Sequence, residues 1–166
     1  MTYCLAIKVK DGLVFASDSR TSAGVDYVSV YSKMHTFQLK EGRVFVLLSA
    51  GNLATSQAVV NALRRDLADA EAPASLNSVH FPFDAAHYIG EISVRVQNEH
   101  PEVMKKSGVN VEASFILGGQ IGLGEHEIYL IYPQGNYIST SDETPYLQIG
   151  ETKYGKPILD RIVTPQ

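Results

Sequence analysis

The sequence predicts an α+β protein in which helices cover antiparallel sheets, and three observations carry that prediction. Strand-like segments come first, two segments with helical periodicity follow, and strand-like segments return before a last helix begins. The early strands are joined by short turns such as Asp11-Gly12, a strong hairpin signal. The 166 residues fit one domain over 1–166 and suffice to bury a core. Two antiparallel sheets with helices outside would use these elements well.

The N-terminal part reads as two hairpins separated by a loop. The first turns at Asp11-Gly12, so residues near 2 and near 18 are expected side by side. The segment 19–32 is rich in Thr, Ser, Gly and Asp and is expected to be irregular. The second hairpin turns at Lys40-Glu41-Gly42. The four strands expected here are 2–10, 13–17, 34–39 and 43–49.

Helical periodicity replaces strand alternation in the middle of the chain. The segment 53–70 carries an apolar face formed by Val59, Val60, Leu63 and Leu67. A second helix is expected over 85–98, with Asp84 as its N-cap, and a polar connection over 102–110.

Strands return near the end of the chain, and a helix follows them. The glycine-rich segment 118–124 lacks both a following helix and the Lys-Ser/Thr of a phosphate loop, so a turn between strands is expected there. The expected strands are 113–117, 127–132, 137–140 and 146–149, and a helix is expected to start over 153–163.

Composition excludes several classes of function. A net charge of -4, with 14 basic and 18 acidic residues and no long Lys/Arg run, argues against nucleic-acid binding. No apolar stretch approaches the roughly 20 residues that span a bilayer, and the N-terminus lacks a signal peptide, which indicates a cytoplasmic protein. The low charged fraction, 19%, is consistent with a surface partly covered by sister subunits.

Cysteine and histidine offer no metal site in this sequence. The single Cys4 excludes an internal disulfide and a cysteine metal cage, and it is expected to be a small core residue on the same strand face as Thr2. The 5 His residues show no metal-ligand spacing, so packing or surface roles are expected for them.

Thr2 is the first candidate for chemistry. If Met1 is removed, Thr2 carries a hydroxyl and a free α-amine on one residue. The hydroxyl is a poor nucleophile unless a base takes its proton, and a neutral α-amine with a pKa of about 8 can be that base. Taken alone, Thr2 is better explained as an ordinary N-terminal strand residue, because many chains begin Met-Thr.

Three other positions complete a possible site. Asp18 closes the second strand and is expected near Thr2; Lys33 precedes the third strand and would lower the pKa of a nearby amine. Gly51 lies between a strand and a helix, where backbone N–H groups can form an oxyanion hole. Each also has a structural interpretation: a turn carboxylate, an exposed edge lysine and a plain strand-to-helix turn.

Together these features resemble the proteasome β-subunit family. The matching segments are Thr2 behind Met1, Ser17-Asp18-Ser19-Arg20, Lys33 before a strand, Ser49-Ala50-Gly51 before a helix, Gly118-Gly119, Pro133-Gln134-Gly135 and Gly150-Glu151-Thr152-Lys153-Tyr154-Gly155. Tyr3-Cys4, the segment 23–28 and Lys33-Met34-His35 resemble the bacterial proteasome-like Anbu branch. The resemblance covers essentially the whole chain.

The resemblance implies an N-terminal-nucleophile hydrolase with a four-layer αββα sandwich, acting without a cofactor on peptides or unfolded protein in a ring-like or helical homo-oligomer. By position, Thr2 would be nucleophile and base, Lys33 would tune its amine, and Asp18 would pair with Lys33. The N–H of Gly51 would hold the oxyanion. Thr21 and Ser22 would line the substrate groove.

The sequence departs from the family pattern in three ways. No propeptide precedes Thr2, so a free amine depends on removal of Met1. Glu151 stands where proteasome subunits usually carry a supporting serine. The family continues beyond the position of Gln166, so the last helical layer is expected to be incomplete and the chain less stable than a longer form.

Two other functions remain open alongside the threonine peptidase. One is a catalytically silent subunit that uses the same sandwich for assembly, and the other is a small-amide hydrolase of the same superfamily. The sequence does not indicate whether an ATPase partner feeds the particle.

Overall fold

The computed structural model of the protein describes residues 2–22 and 28–163. Within them the strands are β1 (Tyr3–Val9), β2 (Gly12–Ser17), β3 (Arg20–Ser22), β4 (Val28–Val30), β5 (Met34–Gln38), β6 (Arg43–Gly51), β7 (Ala113–Ile121), β8 (Glu127–Ile131), β9 (Tyr137–Ser139) and β10 (Tyr146–Gly150). The helices are α1 (Leu53–Ala68), α2 (Pro82–Asn98), α3 (Glu102–Lys106) and α4 (Thr152–Ile162).

The strands form two main antiparallel sheets, as predicted. One has three strands in the order β10-β1-β2, and the other has five in the order β5-β6-β7-β8-β9. The turn at Asp11-Gly12 joins β1 to β2, and the register pairs Cys4 with Ser17. This register brings Asp18 next to Tyr3, which confirms the expected approach of the two chain segments.

The five-stranded sheet is buried on both faces. Along β6, Phe45 and Leu47 point to one core while Leu48 and Ala50 point to the other. This alternation follows from the two-residue period of a strand. One core lies between this sheet and helices α1 and α2, and the second lies between the two sheets. The inter-sheet core consists of Cys4, Ala6, Leu48, Ala50, Ile116, Ile128, Leu147 and Ile149.

The three-stranded sheet and helix α4 form the third and fourth layers and complete the predicted αββα order. Odd-numbered residues of β1 point away from the inter-sheet core, and α4 packs on that outer face. The Tyr146 hydroxyl donates a hydrogen bond to the Asp160 carboxylate, which joins β10 to α4. Gly155 of α4 lies directly against the Tyr3 ring, because a Cβ there would come within 2.1 Å of the Tyr3 hydroxyl.

The segment 19–32 contains two short strands that were predicted as loop. β3 and β4 pair in antiparallel register, with Arg20 opposite Val30. Three-residue strands are too short to show an alternation that sequence reasoning can detect. The polar connection 102–110 likewise contains the short helix α3, which follows Pro101.

Helix α2 begins earlier than predicted, and Asp84 is not its N-cap. The N-cap is Phe81, and Pro82 is the first helical residue. A carboxylate oxygen of Asp84 instead accepts a hydrogen bond from the Phe81 N–H at 3.1 Å. Pro82 favours this start because its missing N–H would have no helical partner at that position.

Gly118 and Gly119 lie inside β7 and are not part of the predicted glycine-rich turn. A Cβ on Gly118 would lie 2.1 Å from the ring of Phe15, and one on Gly119 would lie 2.4 Å from the ring of Phe45. Glycine is therefore required at these positions because aromatic rings lie directly over the strand. The turn itself follows Ile121.

Among the described residues, none of the helices combines the length and the apolarity that crossing a bilayer requires.

Candidate active site

Asp18 joins the first two strands at the site. Its N–H donates to the carbonyl oxygen of Tyr3 at 3.1 Å. Its side-chain Oδ1 accepts a hydrogen bond from the Tyr3 N–H at 2.7 Å. Just beyond Ser17, where β2 ends, the carboxylate therefore accepts the hydrogen bond that a backbone carbonyl would accept in a continuing strand pair. It accepts this hydrogen bond from the peptide group that links Thr2 to Tyr3.

Lys33 is buried and binds the other oxygen of the same carboxylate. Its Nζ donates to Oδ2 of Asp18 at 2.7 Å and to the carbonyl oxygen of Arg20 at 2.6 Å. Only 6% of the Lys33 side chain is exposed, against 37% for Asp18. The Ser49 N–H donates to the Lys33 carbonyl at 2.9 Å, which anchors the lysine backbone to β6. The lysine is thus a core residue and not an exposed edge lysine.

The protonation of Asp18 follows from these contacts. Burial is the largest single influence and opposes ionisation, but the hydrogen bonds from Lys33 and from the Tyr3 N–H, together with the positive charge of Lys33, lower the pKa overall. The pKa of Asp18 is therefore below its ordinary value. At neutral pH Asp18 is a carboxylate that faces the Lys33 ammonium group.

Thr2 is half-buried at the start of β1. Its carbonyl oxygen accepts a hydrogen bond from the Glu151 N–H at 2.7 Å, at the junction between β10 and α4. The following peptide N–H, that of Tyr3, is bonded to Asp18. Thr2 is therefore held by two parts of the chain that are far apart in sequence.

Cys4 lies two residues from Thr2 and is fully buried between the sheets. Its Sγ lies 3.6 Å from the carbonyl oxygen of Ser49. Burial, with a smaller contribution from the negative charge of Asp18, raises the pKa of the thiol to about 11, although Lys33 opposes the shift. The predicted role of a small core residue is confirmed.

Gly51 ends β6 in a conformation that only glycine adopts readily, with φ of +105°. A Cβ at this position would lie 2.5 Å from the carbonyl oxygen of Glu112. The next residue, Asn52, donates its N–H to that carbonyl and caps α1 by accepting from the Thr55 N–H at 3.0 Å. Gly51 thus lies at the junction between β6 and α1, directly before the N-cap Asn52, as the sequence predicts.

Thr21 and Ser22 belong to β3, where they pair with Ser29 and Val28. Their side chains lie outside the part of the chain that the structure describes, and so do residues 23–27. Their expected position along a substrate groove stays a prediction. β3 nevertheless starts at Arg20, whose carbonyl accepts from Lys33, so this strand begins at the candidate site.

Sequence reasoning missed the backbone groups that complete the site. These are the Tyr3 N–H, the Arg20 carbonyl and the Glu151 N–H. Glu151 attracted notice only for its side chain, which is exposed, whereas its N–H makes the contact with Thr2. A glycine between a strand and a helix, Gly150, was the available signal for a close backbone approach.

The described residues contain no group of three or more His, Cys, Asp or Glu side chains that could hold a metal ion. A wide cavity lies at the far end of β1, near Lys10, Phe81 and His126. Its lining does not include Thr2, Asp18 or Lys33. We place the candidate site at Asp18 because the ionised groups and their hydrogen bonds converge there.

No protein-family model matches the chain, and the comparison with curated proteins gives no match. Among solved structures, Anbu (ancestral beta-subunit) from Yersinia bercovieri is 44% identical with a TM-score of 0.87, over 99% of this chain and 67% of that chain. The helical assembly of the Anbu complex from Pseudomonas aeruginosa gives 44% identity and a TM-score of 0.88, over 98% of this chain and 66% of that chain. Anbu from Hyphomicrobium sp. strain MC1 is 39% identical with a TM-score of 0.84, over 99% of this chain and 67% of that chain.

This chain therefore spans about two thirds of the length of these structures. Their fold has the same order of layers, and their sequences align with nearly all of its residues. The agreement extends the sequence resemblance to the whole tertiary structure. The chain belongs to the Anbu family of proteasome-like proteins.

Proposed function

We propose that this chain is a subunit of a proteasome-like particle and hydrolyses peptide bonds with Thr2 as an N-terminal nucleophile. The observation that carries the proposal is the Asp18 carboxylate, which bridges the Tyr3 N–H and the buried Lys33 ammonium group. The Lys33 ammonium group is separated from the Tyr3 N–H by this one carboxylate, which supports a positive charge near the Thr2 amine. Such a charge is what an amine base at Thr2 requires.

In the proposed mechanism, removal of Met1 frees the α-amine of Thr2. Lys33 disfavours protonation of that amine by like-charge repulsion, while Asp18 keeps Lys33 ionised. The neutral amine takes the proton of the Thr2 hydroxyl, whose oxygen attacks the carbonyl carbon of the substrate. The tetrahedral intermediate collapses to an ester, and the proton passes to the leaving amine. Water then hydrolyses the ester with the same amine as base.

The orientation of Gly51 supports its proposed role as an oxyanion donor. In an antiparallel ladder, successive residues direct their N–H groups to alternate neighbouring strands. The Ser49 N–H points to the β5 side, where it bonds to Lys33, and the Asn52 N–H points to the β7 side, where it bonds to Glu112. The Gly51 N–H therefore points to the β5 side, beyond the last residue pair of β5 with β6. That is the side on which Lys33 lies.

We further propose that substrate lies along β3, with Thr21 and Ser22 lining its groove. The start of this strand is bonded to Lys33 through the Arg20 carbonyl. An extended peptide could then reach Thr2 while its backbone follows β3.

The subunit is expected to act in a homo-oligomer. The helical assembly solved for the Pseudomonas aeruginosa Anbu complex supports this part of the proposal. Electron microscopy of the purified chain would distinguish a helical particle from a closed ring.

The test uses protein released from a fusion partner directly before Thr2, so that the α-amine is free in every molecule. An epoxyketone inhibitor forms a ring adduct only with an amine and a hydroxyl on the same residue. We expect an intact-mass increase of one inhibitor, mapped to Thr2, together with cleavage of fluorogenic peptides. The matched variants are Thr2→Ala, which removes the hydroxyl, and Thr2→Ser, which keeps one.

The results separate the competing functions. Peptide cleavage that persists in Thr2→Ala would contradict the proposed role of Thr2 as the nucleophile. An adduct without cleavage of peptides, but with cleavage of small amides, would indicate the small-amide hydrolase. Neither adduct nor cleavage in a folded, assembled sample would indicate the catalytically silent subunit.

A further inference from the structure

Gly150 provides the space into which the Thr2 carbonyl fits. Gly150 has a φ of +90°, and a Cβ added to it would lie 2.0 Å from the Thr2 carbonyl oxygen and 2.7 Å from the Thr2 carbonyl carbon. Real Cβ atoms do not approach backbone atoms so closely, so the Thr2 backbone occupies the place of a side chain. The next residue, Glu151, donates its N–H to the same oxygen at 2.7 Å.

The peptide group between Thr2 and Tyr3 is thus held at both of its polar atoms. Glu151 binds its oxygen from the β10–α4 junction, and Asp18 binds its N–H from the end of β2. A peptide group is planar and includes the two flanking Cα atoms. Two hydrogen bonds at opposite edges of this plane therefore restrict the position of the Thr2 Cα, which carries the amine and, through Cβ, the hydroxyl.

The elements on either side of the β10–α4 junction are linked to β1 and to each other. The Tyr3 hydroxyl donates to Oε1 of Gln148 at 2.8 Å, which ties β1 to β10. Gly155 packs on the Tyr3 ring, and the Tyr146 hydroxyl donates a hydrogen bond to Asp160, which lies further along α4. The junction is therefore a supported part of the fold and not a free loop.

We propose that Gly150 is a positioning residue, and that it acts with the Glu151 N–H to orient Thr2 for nucleophilic attack. The inference rests on the proposed threonine hydrolase function. It also accounts for a glutamate at position 151, because the contact with Thr2 comes from the backbone and does not depend on the side chain.

Four variants test the proposal in protein that begins at Thr2. Gly150→Ala introduces the clash, and Glu151→Pro removes the N–H donor while its φ of -77° suits proline. Gly108→Ala is the control for the first, since Gly108 has a φ of +77° but nothing within 4 Å of an added Cβ. Glu151→Ala is the control for the second, since it removes only the side chain.

We expect kcat for peptide cleavage to fall about 100-fold in Gly150→Ala and Glu151→Pro, as displacement of a reacting group by about 1 Å produces. KM should change little, because the substrate groove is not altered. Gly108→Ala should retain kcat, Glu151→Ala should lose far less than Glu151→Pro because it keeps the N–H, and thermal unfolding should show that all four variants are folded. Should Gly150→Ala fail to fold, Glu151→Pro alone decides the question.

Amide hydrogen exchange at Tyr3, followed by NMR, separates this inference from the proposed function. We expect exchange at Tyr3 to accelerate about tenfold or more in Gly150→Ala and Glu151→Pro but not in the controls, because the peptide group is no longer held at its oxygen. If the parent protein is inactive and this acceleration is still seen, the hydrolase proposal fails and the positioning of Thr2 stands. Unchanged Tyr3 exchange, or unchanged kcat in an active parent, would overturn the inference.

Discussion

At the scale of single residues, Asp18 divides its two oxygens between backbone and side chain. Oδ1 takes the Tyr3 N–H and Oδ2 takes the Lys33 ammonium group. Lys33 is almost fully buried, and the Asp18 carboxylate helps to offset the cost of burying its ammonium group. The same carboxylate therefore contributes to folding and to the proposed chemistry.

We predict that Asp18→Asn lowers the free energy of unfolding by about 2 kcal/mol, less than for a fully buried pair because Asp18 is partly exposed. The asparagine oxygen can still accept from Tyr3, but the negative charge facing Lys33 is lost. Urea unfolding at neutral pH measures the change. Asp142→Asn, at an exposed position, is the control. A loss as small as that of the control would show that Lys33 does not depend on Asp18.

The burial of Cys4 leads to a second prediction about a single residue. Because burial and the charge of Asp18 raise the pKa of the thiol to about 11, the thiolate is scarce at pH 8. Iodoacetamide should therefore leave the native protein unmodified and alkylate it fully in urea. Mass spectrometry reads the result without ambiguity, since the chain has one cysteine. Rapid alkylation of folded protein would contradict the buried position.

At the scale of elements, the packing of the two sheets depends on glycine in β7. The Phe15 ring of β2 lies over Gly118, and Phe45 of the neighbouring strand β6 lies over Gly119. At Gly118 the two sheets thus approach each other through the Phe15 ring packed on bare backbone, whereas the contact of Phe45 with Gly119 lies within one sheet, on its helix-facing side.

We predict that Gly118→Ala lowers the free energy of unfolding by about 1–3 kcal/mol, because the added methyl group overlaps the Phe15 ring. The double variant Gly118→Ala with Phe15→Leu should lose less than the sum of its single variants, since leucine does not reach as far as the ring. Denaturant unfolding of all four proteins gives the coupling energy. Strict additivity would show that the two positions do not share this contact.

At the scale of the whole molecule, stability should depend on pH in two separate ranges. Burial, assisted by the charge of Arg64, lowers the pKa of His35 below 6.5 in the folded chain. The unfolded chain then binds a proton more readily, so stability falls as the pH drops below 6.5. Asp18 and Asp66 have pKa values lowered from 3.8, because hydrogen bonds outweigh burial, so their contribution is lost at lower pH.

We predict a thermal midpoint that is nearly constant between about pH 7 and pH 8, decreases modestly as the pH falls below 6.5, and decreases again below pH 4. His35→Gln should abolish the first decrease and leave the second. His80→Gln, at an exposed position, should retain both. If the first decrease survives in His35→Gln, another group is responsible for it.

Much of the architecture could be predicted from local patterns. Asp11-Gly12 determines a tight hairpin, and the alternation in β6 and the helical period of Val59 and Leu63 depend only on nearby residues. The strand and helix order then leads to two sheets between helices. Errors occurred where the pattern was too short, as in β3, or where glycine belonged to a strand, as at Gly118.

Local sequence patterns were sufficient for the order of elements, the family resemblance and the approach of Thr2 to Asp18 through the first hairpin. Long-range packing was needed to show that Lys33 is buried, that Asp18 shares its oxygens between Tyr3 and Lys33, and that the Thr2 carbonyl packs against Gly150. The physical reason is distance along the chain. A turn or a period is decided by neighbouring residues, whereas the contact of Thr2 with Glu151 requires β10 to pair with β1, a strand far away in the sequence.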